Sequence, residues 1–178
     1  MRTLSIIIFC LMFVSCRPDK DESVKTGSAN DNLILIEPNP SITIPFYPYG
    51  SDSLDLNSDN KFDIKFIRSP RPALTGFATE TLISTINLQI VLSKTNDLPE
   101  AISSNILLDN NSNWSNSTSA ILILQSFKCN SNECPDLGNF INVTDKFLGF
   151  KIGDKIGWMK LDNSKNGDLK IKEYTVIK

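Results

Sequence analysis

From residue 33 onward the chain alternates short apolar runs with polar punctuation, and the period of those runs is that of extended backbone. Residues 33–36, 42–46, 62–67, 86–92 and 120–124 are short, rich in β-branched or aromatic side chains, and bounded by Pro, Gly, Asn, Asp and Ser. Each reads as a strand. Phe62, Ile64 and Phe66 alternate with Asp63 and Lys65, the pattern of a strand with one face turned to a core. Toward the C terminus, runs at 147–152 and 155–161 flank Gly153 and Asp154, and a polar stretch ending in Asn166-Gly167 leads into 169–171. Asn-Gly between alternating runs is a strong hairpin signal. Trp158 alternates with Ile156 and is expected in the core. A single helical turn is expected at 98–102, behind the capping residue Asp97, and 109–118 reads as a long polar surface loop. The pattern predicts an all-β domain, an antiparallel β-sandwich or jelly roll, without internal repeats.

Upstream of the strands the pattern changes. Arg2 precedes an apolar run at 4–14, then come Ser15 and Cys16. A basic start and an apolar stretch of this length suit a secretory signal and are too short for a spanning helix. Phe13-Val14-Ser15-Cys16 resembles a lipobox, in which the cysteine is lipidated on sulfur and becomes the new N-terminus. Cys10 is the poorer attachment site, because bulky Phe9 would occupy the cleavage position. Residues 17–22 resemble the acidic, Lys-containing tag of surface-exported lipoproteins of the Bacteroidetes. The Gly157-Trp158 hairpin resembles one that ends many secreted β-proteins of that phylum. The chain therefore resembles an uncharacterised family of Bacteroidetes surface or outer-membrane lipoproteins. That resemblance implies a cell-envelope protein held on the outer membrane by lipid at Cys16, facing either the surface or the periplasm. Three segments are expected: a signal peptide at 1–15, the lipidated cysteine with a disordered tether at 16–32, and one β domain at 33–178.

Charge and composition then narrow the chemistry. The net charge of −2 becomes −3 once Arg2 is removed with the signal, so the chain lacks the basic footprint that nucleic acid requires. Nucleic-acid partners are not expected. The chain contains no histidine, which removes Ser-His-Asp and Cys-His catalysis and every His-bearing zinc or iron site. No catalytic residue stands out. A carboxylate-dependent glycoside hydrolase remains an alternative, since it needs only two suitably spaced acids. Cys129 and Cys134 form an even pair in an exported chain, and their spacing suits a loop disulfide better than a redox motif.

One motif carries metal chemistry. Asp55, Asn57, Asp59 and Asp63 occupy positions 1, 3, 5 and 9 of a calcium-loop scheme, with the Lys61 carbonyl at position 7. Asn60 stands where glycine is usual, and Phe66 stands where the last acid would be. The segment resembles the short calcium loops that open into a strand in extracellular β-proteins, and calcium bound there would be structural and weakly held. Ser53, within Asp52-Ser53-Leu54, resembles a Bacteroidetes O-glycosylation site. Trp114, in the polar loop, is a candidate for stacking on a ligand. The expected function is a non-enzymatic, membrane-anchored binding or accessory module for a glycan or protein ligand. The alternatives are the glycosidase-like enzyme and a purely structural envelope protein.

Overall fold

The computed structural model describes residues 22–73, 76–127, 136–164 and 167–178. Cys16, Cys129 and Cys134 lie outside them, so the lipidation and disulfide expectations fall outside the described residues. Twelve strands are described: β1 (Val24–Lys25), β2 (Leu33–Ile36), β3 (Ile42–Ile44), β4 (Ser51–Leu54), β5 (Ile64–Ala73) and β6 (Gly76–Thr85), followed by β7 (Gln89–Ile90), β8 (Leu107–Leu108), β9 (Ser119–Phe127), β10 (Val143–Ile152), β11 (Lys155–Asn163) and β12 (Leu169–Ile177). The architecture is all-β, with antiparallel sheets packed together as a sandwich. One sheet runs β4-β5-β6-β9; the other runs β2-β12-β11-β10-β7, with β3 also on β12. The small β1–β8 ribbon forms a third, separate pair.

The expected C-terminal hairpin is present. Ile152 pairs with Lys155 across the Gly153-Asp154 turn, and Gly153 takes a φ of 59°, the conformation that makes glycine useful at such a corner. Register and alternation sort the two faces of this sheet. Leu148, Phe150, Met159, Leu161 and Ile171 are buried, and meet Ile64, Phe66 and Ile83 of the opposite sheet in one apolar cluster. Gly157 sits opposite Phe150, and a Cβ there would lie 2.4 Å from the Phe150 ring and 2.6 Å from Thr175 Oγ1. Only glycine lets the ring lie flat on that strand.

The other face of β10 and β11 is covered as well, and the cover is a surprise. Trp158 is fully buried there, as expected of a core residue, edge-to-face with Phe147 at 5.1 Å. Its Nε1–H donates to the Ser28 carbonyl at 2.7 Å. The expected tether at 16–32 is therefore corrected: residues 22–32 belong to the folded body. Val24 and Thr26 are buried, Val24 opposite Leu108. The Thr26 hydroxyl donates to Ser103 O at 2.7 Å and accepts from Ile106 N at 3.0 Å. A single valine and one threonine hydroxyl dock a segment that reads as polar throughout, because the partner strand supplies the rest of the hydrogen bonds.

Two further expectations are overturned. Residues 98–102 form no helical turn; Pro99 and Ile102 make extended bridges to Leu92 and Phe147, and Asp97 has a φ of 54°. The expected strand at 86–92 is broken, with Ile86 exposed, Asn87 at a φ of 55° and only Gln89 and Ile90 in a strand. The long strand is β6 before it. Its inward positions are Thr79, Thr81, Ile83 and Thr85, so a single isoleucine among threonines gives its buried face too little apolar alternation for a hydrophobicity pattern to register.

Candidate functional site

The acidic loop is built on its own backbone. Asp55 accepts from the N–H groups of Asn57 (3.2 Å), Asp59 (3.3 Å) and Asn60 (2.8 Å). Asn57 Oδ1 accepts from Asp59 N at 3.0 Å, and Asp59 Oδ1 from Lys61 N at 2.8 Å. These nested turns place Ser58 and Asn60 at φ of 59° and 64°, a conformation that Asn tolerates better than most residues. Slight burial pushes the Asp55 carboxyl upward, but the N–H donors of Asn57, Asn60, Ser58 and Asp59 together hold it below the usual carboxylate value. Asp63 behaves differently. It is buried, with Oδ2 accepting from Leu56 N at 2.7 Å and Oδ1 from Asn57 Nδ2 at 3.4 Å. Burial, with the charges of Asp55 and Asp59 adding to it, pushes the Asp63 carboxyl up against the lowering by the Leu56 N–H. Among the described residues no three acidic or thiol side chains are gathered closely enough to hold a metal by themselves. Asp63 supports the loop through Leu56 N and Asn57 Nδ2, and the other oxygen donors of the expected calcium set are Asp55, Asn57, Asp59 and the Lys61 carbonyl.

Trp114 is half-buried and packs against the core; its Nε1–H donates to Asp109 O at 2.9 Å, and its backbone bridges Val91. The ring holds loop 109–118 in place. More exposed aromatic side chains lie elsewhere: Phe62, beside the acidic loop, and two on the 45–50 loop that joins β3 to β4. Tyr47 is 80% exposed and Tyr49 42%, their rings edge-to-face at 6.0 Å with planes 78° apart. The loop beneath them is pinned. Phe46 N donates to Asp168 Oδ1 at 2.7 Å, Arg68 N donates to Gly50 O at 2.9 Å, and a Cβ on Gly50 would meet the Pro45 ring at 2.7 Å.

Arg68 underlies this loop. The residue is 3% exposed, and its guanidinium lies 5.1 Å from the centre of the Phe46 ring. It donates to Gly167 O at 2.9 Å, with longer contacts to Ile44 O and Asn163 Oδ1 at 3.5 and 3.4 Å. Burial pushes the guanidinium down from its ordinary value, and the charge of Asp168 works the other way. Arg68 Nε, Thr81 Oγ1, both amide atoms of Gln125 and Asn163 Nδ2 are buried without a hydrogen-bond partner, and Thr81 stands opposite Arg68 in the β5–β6 register. Nothing in the sequence marks Arg68, because one basic residue at the end of a strand run reads as solvent-facing.

Ser53 lies on β4, an edge strand of its sheet, and is half-buried. Acids occur together in the grooves: Glu100 with Asp109 in one, and Glu37, Asp162 and Glu173 in another. A groove of about 500 Å³ has Val91, Ile102 and Leu108 among its lining residues, with Lys94, Glu100 and Asn113. A second, of about 470 Å³, includes Asp162, Lys172 and Glu173. There Lys172 pairs with Asp162 at 3.3 Å and with Asp145 at 2.8 Å, and Lys160 pairs with Glu173 at 3.0 Å. Hydrogen bonds from Lys172 and Lys160 hold the Asp145 carboxyl below the usual value.

The fold and these loops define an antiparallel β-sandwich that displays an aromatic pair and carries an acidic, turn-nested loop. No protein family, no curated protein and no solved structure matches the chain.

Proposed function

We propose that this chain is an exported envelope protein, lipid-anchored at Cys16, whose β domain is a non-enzymatic binding or accessory module. The Tyr47–Tyr49 pair carries the binding half of that reading. Exposing two aromatic rings contributes little to folding, and pinning the loop beneath them by Phe46, Gly50 and Arg68 means that a ligand would not have to order it. Tyrosine suits a glycan ligand, because the ring face stacks on the C–H face of a sugar while the phenol reaches a hydroxyl. The decisive experiment is a glycan array and affinity electrophoresis on the full chain, followed by Tyr47→Ala with Tyr49→Ala. The double variant is expected to weaken polysaccharide binding at least about tenfold, a loss of about 1.4 kcal/mol. Absence of any polysaccharide or glycan binding by the parent chain would overturn the glycan assignment and favour the structural-envelope alternative.

The acidic loop is proposed as a weak structural calcium site formed by Asp55, Asn57, Asp59 and the Lys61 carbonyl. Support comes from the geometry: the nested turns hold the Asp55, Asn57 and Asp59 side chains at alternate positions of one tight loop, with the Lys61 carbonyl next in the series. With a dissociation constant of the extracellular-module class, about 10 mM calcium is expected to add about 1.5 to 3 kcal/mol, or about 3 to 10 °C in melting temperature. EDTA is expected to reverse the shift, and Asp59→Ala to abolish it. A melting curve indifferent to calcium would sink the metal assignment and leave the nested turns as the loop's whole purpose.

A further inference from the structure

β1 is the first described strand after Cys16, and with β8 it lies over the Trp158 face of the sheet. Six residue steps separate Cys16 from Glu22, so that stretch reaches at most about 20 to 22 Å. The folded body, residues 22–178, has a radius of gyration of about 15 Å and hence a diameter of about 40 Å. A lipid on Cys16 would therefore keep the β1 side against the bilayer and hold the far side away from it.

What that side displays fits a lipid surface. Lys25 and Leu107 face each other in the β1–β8 register and are both exposed, Leu107 at 52%; Ile106 next to it is 48% exposed. Opposed residues of an antiparallel pair share a face, so the lysine and the leucine emerge together. The turn leading into them, Ser103-Ser104-Asn105, carries no charge. This turn is also held rigid: Asn105 N donates to Thr26 O at 2.9 Å and Thr26 N to Ile106 O at 3.0 Å. Two adjacent exposed aliphatics gain little from water, whereas at a headgroup boundary they insert and the lysine pairs with phosphate.

We propose that Ile106, Leu107 and Lys25 form a membrane-docking face that seats the domain on the anionic bilayer carrying its anchor. The proposal rests on the reading of Cys16 as lipidated. Docked this way, the ribbon sits on lipid, while Tyr47 and Tyr49 belong to the loop after β3, which pairs with β12 and not with β7 or β10.

The test uses the full chain expressed in a bacterium with palmitate labelling, purified, and reconstituted into vesicles of phosphatidylethanolamine and phosphatidylglycerol. Leu107→Trp and Tyr47→Trp are compared with the parent chain in vesicles of brominated and ordinary lipid. Label lost in Cys16→Ala establishes the anchor, and added emission from Leu107→Trp is then expected to fall to about half in brominated lipid while that from Tyr47→Trp is unchanged. Label without quenching at 107 overturns docking alone. Self-association through this face, seen as a sedimenting dimer that Leu107→Asp abolishes, would make the occupant a second copy and also overturn it. Absence of label on Cys16 removes the anchor and the docking proposal with it.

Discussion

Removal of residues 1–32 is expected to lower the melting temperature by about 10 to 20 °C, while removal of residues 1–21 leaves it within about 2 °C of the parent chain. The larger cut takes away Val24, which is 4% exposed, and Thr26, which is fully buried, together with the β1 pairing to β8. It also strips the cover from Trp158 and Phe147, whose face of the sheet then meets water. Re-exposing part of two aromatic side chains and of Leu108, added to the lost valine, costs about 4 to 6 kcal/mol at about 25 cal/mol per Å². A domain of this size is stable by about 5 to 15 kcal/mol, so the loss is a large share of the total. Differential scanning calorimetry of the two truncations decides the matter. Equal melting temperatures would mean that the N-terminal segment is docked without being structurally needed.

Arg68→Ala is expected to destabilise the domain by about 3 to 5 kcal/mol, and Arg68→Met by about 1 kcal/mol or less. Alanine leaves a void between the sheets and withdraws the cation beneath the Phe46 ring. Methionine fills most of that volume. It also removes a guanidinium that is nearly fully buried, has its Nε–H unpartnered, and makes one short hydrogen bond, to Gly167 O. The desolvation of the charge therefore offsets much of what its contacts contribute. Urea denaturation of the two variants separates the readings, and a methionine variant as unstable as the alanine would show that the hydrogen bonds and charge, not the volume, hold this corner. Because Arg68 supports loop 45–50, the alanine variant is also expected to weaken whatever the Tyr47–Tyr49 pair binds.

Much of the fold was legible where the signal was local. The strands at 33–36 and 120–124, the C-terminal hairpin and the burial of Trp158 all follow from runs of apolar residues and their punctuation. The nested turns of the acidic loop are similarly local, since each Asp or Asn bonds a backbone N–H two to five positions ahead. Where the buried face is polar, the pattern fails. Thr79, Thr81 and Thr85 hide β6, and the adjacent apolar run at 86–92 draws the expected strand to the wrong place. In the candidate site the sequence reading named the acidic loop and Trp114, and it did not name the more exposed Tyr47 and Tyr49. A proline-bounded aromatic pair reads equally well as strand end or as surface.

By itself, then, the sequence determined the all-β class, the hairpin register around Gly153 and the turn chemistry between Asp55 and Lys61, because each depends on residues a few positions apart. Only the tertiary structure decided that residues 22–32 are part of the body, that Arg68 is buried, and that Trp114 is a brace. Those outcomes depend on partners far away along the chain: Thr26 meets Ser103 at a separation of 77 residues, Arg68 meets Gly167 at 99, and Trp158 meets Ser28 at 130. A polar segment docks, or a charge is buried, when a distant strand supplies the matching hydrogen bonds, and no local pattern encodes that supply.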